Sequence, residues 1–149
     1  MTLQERIDAE MKTAMRERDQ TRLATLRMIK TALVNRRVET GHEVTGPEGL
    51  QVLATIAKQR REAIDHFRQA GRADLVDREA AELAIVEQYL PPPVDAGELE
   101  RVVDAVIAET GAVGAAALGQ VMKAVMARLA GRNADGKAVN ALVRQKLAG

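Results

Sequence analysis

The sequence predicts an all-α protein, with an N-terminal four-helix domain over residues 1–92 followed by a small three-helix C-terminal domain over residues 93–149. Four observations lead there. Apolar residues recur every three or four positions along nearly the whole chain, the period of a helix with one buried face. No segment alternates polar and apolar residues as a half-buried strand does. Phe67 and Tyr89 are the only aromatics, which leaves Leu, Ile, Val, Met and Ala to build the core. Finally, Pro91-Pro92-Pro93 stops any helix, because three successive residues lack an amide donor and have φ fixed; the run also makes a semi-rigid spacer.

Each element has its own signal. Leu3, Ile7, Met11, Ala14 and Met15 lie on one face of a first helix expected over 2–18. A second begins near Thr21, carries Leu23, Leu26, Ile29 and Leu33, and runs out around Glu39, before Gly41. Thr45 and Glu48 have capping-box spacing, with Pro47 near the first helical position of a third helix. That helix carries Leu50, Leu53, Ala57, Ile64 and Phe67 and ends before Gly71. A fourth carries Leu75, Ala80, Leu83, Ala84, Val86 and Leu90. Beyond the prolines, Asp95 is an N-cap for a fifth helix with Leu99, Val102, Val103, Val106 and Ile107, and Gly111 stops it. The sixth is expected over 114–130, with Leu118, Val121, Met122, Val125, Met126 and Leu129, and Gly131 at its end. Asp135 caps a seventh, which carries Val139, Leu142, Val143 and Leu147.

Composition narrows the function classes. The chain is 46% hydrophobic and 29% charged, and no run approaches the roughly 20 apolar residues of a membrane span. The first residues lack the apolar core of a secretory signal. Without cysteine there are no disulfides and no thiolate metal sites, which suits a reducing compartment. A cytoplasmic protein with no membrane partner is therefore expected. The net charge of +1 hides segregation. Residues 20–38 hold five cations and no acid, and residues 114–149 hold six cations against Asp135. Residues 73–90 and 94–110 each hold five acids against a single arginine. Such a chain either shows a basic face to an anionic partner or packs acidic helices against basic ones.

Candidate sites follow from spacing. Arg27, Lys30 and Arg37 lie along one side of the second helix, and Lys58, Arg61 and Arg68 have similar spacing on the third. Such rows can meet successive phosphates of a nucleic acid or stay solvated and paired with acids. In the stretch Gly119–Asn140 a glycine sits inside an apolar helix at a cost of about 1 kcal/mol. Either another helix packs tightly there or a ligand backbone approaches. The turn 131–137 places a helix start beside Arg132 and Lys137, with Lys123 and Arg128 on the preceding helix. Asp135 caps the free amides, so a phosphate would meet Arg132 and Lys137 and not the bare helix end. The run Gly-x-x-x-x-Gly-Lys at 131–137 is no nucleotide loop, because Ala138 replaces the Ser or Thr that holds magnesium and no strand precedes it. Glu62 and His66 have i, i+4 spacing but no third ligand, so no metal is expected. No cofactor site and no nucleophile–base set is visible.

Several stretches together resemble the GatB/YqeY family: Leu26-Arg27-Met28-Ile29-Lys30, Lys58-Gln59-Arg60-Arg61-Glu62 with Phe67, Tyr89-Leu90-Pro91, Glu109-Thr110-Gly111-Ala112, and Gly119 to Asn140. Two departures fall around the linker between helices six and seven. Asn133 is an extra residue there, and Ala127 stands where the family tends to have proline. The resemblance implies an all-helical two-domain protein similar to the tail of the B subunit of tRNA-dependent amidotransferases. That tail grips tRNA, while a separate domain does the chemistry. It implies a non-catalytic tRNA-binding accessory module, with Arg27, Lys30, Arg37, Lys58, Arg61, Lys123, Arg128, Arg132 and Lys137 as RNA-binding residues. The alternative is an interaction module that docks on an aminoacyl-tRNA synthetase or an amidotransferase. A weaker one is a carbon–nitrogen ligase with glutamine as amido-N-donor, for which the resemblance supplies no catalytic domain.

Overall fold

Local capping chemistry sets the helix ends in the computed structural model, which describes residues 1–148. Thr2 Oγ1 accepts the Glu5 amide at 3.1 Å and opens α1, Leu3–Glu17. Asp19 Oδ1 accepts the Arg22 amide and opens α2, Gln20–Thr40, which Gly41 ends at φ 79°. At the start of α3, Gly46–Gln69, the Thr45 hydroxyl accepts the Glu48 amide and the Glu48 carboxylate accepts the Thr45 amide. Both halves of the expected capping box are made. α4 spans Ala73–Glu87, and Asp95 opens α5, Ala96–Thr110, with Gly111 at φ 65° after it. Among the described residues there are seven α-helices and no strand, only an isolated bridge between Pro93 and Asn133.

Two helix ends differ from the sequence expectation. The fourth helix stops at Glu87, and residues 88–90 continue as a tighter turn whose amides donate to carbonyls three residues back. The residue before a proline is disfavoured in the helical region, so Pro91 acts upstream of itself. The sixth helix is shorter than 114–130. Gly114 takes φ 79°, Ala115–Ala117 form a 3-10 turn, and α6 runs from Leu118 to Arg128. α7 spans Gly136–Ala148.

The chain divides into two compact units, Met1–Leu90 with α1–α4 and the remainder from Pro91 with α5–α7. Each has its own core. Ile7, Leu26, Ile29, Leu53 and Val86 are fully buried in the first, with Tyr89 closing it. Val103, Val106, Val121, Val125, Leu129, Val139 and Val143 make the second. Branched aliphatics fill both, as the near-absence of aromatics requires. No single helix among the described residues is long and apolar enough to cross a membrane.

Candidate nucleic-acid interface

Leu26, Ile29 and Leu33 turn the inner face of α2 into the core, which leaves Arg27, Lys30 and Arg37 exposed on its outer side. Lys30 Nζ lies 2.7 Å from Asp8 on α1, and Arg37 lies 3.7 Å from Glu43. Arg27 has no carboxylate partner among the described residues. On α3, Lys58 is exposed and likewise unpaired, while Arg61 reaches Glu87 of α4 at 3.4 Å.

In the second unit the carboxylates of α5 pair with Arg132, Arg128 and Lys146. Arg132 makes two bonds to Glu98, at 2.8 and 3.0 Å. Arg128 pairs with Glu109, and Lys146 with Glu100 and Asp104. Asp135 Oδ1 accepts the Lys137 amide at 3.1 Å, so the start of α7 is capped as the sequence predicts. Intramolecular pairing therefore takes up Lys30, Arg37, Arg61, Arg128 and Arg132. Exposed pairs are worth about 0–1 kcal/mol, and a phosphate can displace them at small cost. The two-bond Arg132–Glu98 pair is held most firmly.

α6 is different. Val121, Val125 and Leu129 face the core, and the opposite side exposes Gly119, Lys123 and Ala127 at successive turns. Lys123 has no carboxylate partner among the described residues. A Cβ placed on Gly119 would meet no atom within 4 Å. Tight packing within the unit, one of the two reasons expected for this glycine, is thus excluded. What remains is a strip of small residues around one free cation, open to close approach from outside.

Two carboxylates at the start of α5 are held below their ordinary range. The Arg132 guanidinium, bonded to Glu98, holds that carboxyl below the usual carboxylate range, and the Glu98 amide does the same for Asp95. Their folded pKa values lie below the unfolded ones, so they stabilise the fold above the ordinary carboxylate range. This contribution is lost as pH falls through the depressed values. Glu98→Gln is expected to lower the thermal midpoint at pH 7 and to flatten its decline between about pH 5 and 3, measured by circular dichroism. Among the described residues no group of three or more His, Asp or Glu stands where it could hold a metal ion.

The sequence model described as Yqey-like protein matches residues 4–147. The chain belongs to the YqeY-like protein family. Among YqeY-like relatives, altered inheritance of mitochondria protein 41, mitochondrial, of Pyrenophora tritici-repentis is 29% identical over 143 residues, 94% of this chain and 78% of that one. The protein of the same name from Eremothecium gossypii is 30% identical over 103 residues, 67% of this chain and 56% of its own. That from Lachancea thermotolerans is 29% identical over 92 residues, 61% and 49%. The matched region thus ranges from about half to over three quarters of the length of these YqeY-like proteins.

Proposed function

We propose that this YqeY-like protein is a non-catalytic accessory module that binds folded tRNA, in the manner of the amidotransferase B-subunit tail. Its four-helix and three-helix parts would act as separate domains, in the cytoplasm. The observation that carries this is the Gly119–Lys123 strip on α6, where a residue without a side chain and an unpaired cation share one exposed face. A backbone phosphate can come close to Gly119 and be met by Lys123 one turn on. RNA duplex is recognised by shape, 2′-OH and phosphate contacts, which suits a chain with two aromatics.

The test is a mobility shift of the purified protein against total tRNA at low and moderate salt, with duplex DNA as competitor. Binding should weaken steeply with salt and resist DNA. Lys123→Glu should reduce affinity about tenfold and make the salt dependence shallower by about one unit of log–log slope. Wild-type and Lys123→Glu proteins of equal affinity would remove the strip from the interface.

One observation favours docking on a synthetase or an amidotransferase instead. Val113 is 86% exposed and is followed by Gly114, Ala115 and Ala116, a small apolar surface beside α6. Association with such a purified enzyme in the presence of ribonuclease would support that alternative.

A further inference from the structure

Six described residues take a left-handed backbone conformation. Five are glycines, Gly41, Gly71, Gly111, Gly114 and Gly131, and the sixth is Arg18 at φ 57°. A side chain there crowds the following carbonyl, which is why glycine holds the other five positions. The Arg18 amide caps α1 by donating to the Ala14 and Met15 carbonyls, a task glycine performs equally well. The Arg18 side chain is exposed and has no partner among the described residues.

Its neighbours point to what the side chain is for. The 2.7 Å contact between Asp8 and Lys30 sets the outer rows of α1 and α2 side by side. Lys12 and Arg16 lie one and two turns beyond Asp8, toward the corner where the helices join. Arg27 lies one turn from Lys30 in the same direction. Lys12, Arg16 and Arg27 are exposed and have no carboxylate partner among the described residues. Positions 12–30 hold six cations against Glu17 and Asp19, and Asp19 is spent on capping α2. Glu10, on the adjoining turn, is taken by Arg22 at 3.3 Å.

We propose that the α1–α2 corner is a second phosphate-binding face, by which the N-terminal unit holds the backbone of a folded RNA. Arg18 reaches out to one phosphate, and Lys12, Arg16 and Arg27 meet its neighbours. Lys12 and Arg16 stand about 6 Å apart along the helix axis. The two rows are separated by about the 8–10 Å of packed helices. At these spacings neighbouring cations can each meet a different phosphate of one strand. The proposal rests on the RNA-binding function above and adds a contact region that the α6 strip does not include.

The experiment compares full-length wild type, Arg18→Gly, the triple variant Lys12→Ala/Arg16→Ala/Arg27→Ala, and Lys123→Glu in tRNA mobility shifts over a salt series. Thermal midpoints are measured alongside. Arg18→Gly should keep or raise the midpoint while binding tRNA about threefold more weakly, and the triple variant should bind about fivefold more weakly with a shallower salt slope. If both match wild type while Lys123→Glu weakens binding, the corner is overturned and the α6 interface stands. If wild type binds no tRNA at any salt, the RNA function itself falls. Competition by polyglutamate as effective as by unlabelled tRNA would also overturn the proposal, because the corner would then read charge without phosphate geometry.

Discussion

Gly119→Leu leaves the second unit at least as stable as wild type and lowers tRNA affinity about tenfold, the equivalent of losing one charge-assisted contact of roughly 1.5 kcal/mol. The two halves of this result come from the same open space. Gly119 is the second residue of α6, where glycine costs only part of the roughly 0.5–1 kcal/mol it costs in a helix interior, and leucine is nearly as good a helix former as alanine. A Cβ at position 119 meets nothing within 4 Å, so no clash opposes the gain. In a unit of this size about 1 kcal/mol corresponds to a rise of roughly 4–8 °C in the thermal midpoint. A phosphate drawn to Lys123, by contrast, has to come over Gly119, and an isobutyl group there holds it away. Opposite signs in the melt and in the binding curve distinguish a contact surface from a packing defect. A raised midpoint with unchanged affinity would mean that Gly119 meets no ligand.

Arg60→Ala destabilises the first unit by about 3 kcal/mol, measured by urea unfolding. Its guanidinium lies 2.9 Å from Glu79 and 3.3 Å from Glu82 of α4 and rests against the sulfur of Met28 on α2. The three charged side chains are 25%, 15% and 17% exposed. Alanine leaves two carboxylates partly desolvated with no counter-charge and opens a gap beside Met28. Residual water contact keeps the loss near the lower end for a broken buried pair. Replacing all three charges at once, Arg60→Met with Glu79→Gln and Glu82→Gln, should restore most of the stability, because no uncompensated charge remains. Full stability of Arg60→Ala alone would show that the cluster is solvated.

That cluster also clarifies what the sequence resemblance reports. Met28 and Arg60 come from two of the stretches that carry it, and they meet as a packing contact between α2 and α3. Part of the resemblance is therefore about holding helices together. Gly119 and Lys123 lie in another of those stretches and face away from the core.

Features set by neighbouring residues were legible in the chain. The Thr45–Glu48 box, the Asp95 cap and the glycines at 41 and 111 depend on chemistry within four positions, so spacing alone places them, whereas α6 ends at Arg128, short of Gly131. The break at Gly114 was not legible. Three alanines follow it, and helix propensity there argues for continuation while the left-handed glycine decides otherwise. Carboxylate partners were equally hidden. Arg132 and Glu98 are 34 residues apart and Lys146 and Glu100 are 46 apart, so only the packing of α5 against its neighbours brings them together. Arg18 gave no signal, because a left-handed position with no glycine looks like ordinary helix.

Asn133, an insertion relative to the family pattern, is buried, and its carbonyl accepts the Val94 amide at 2.9 Å. The residue just past the proline run is thereby laced to the turn that precedes α7. Anyone transplanting the C-terminal unit into another polypeptide has to move Pro93 and Val94 along with the helices. A cut at the first visible cap, Asp95, would leave that carbonyl without its donor and the edge of the graft loose.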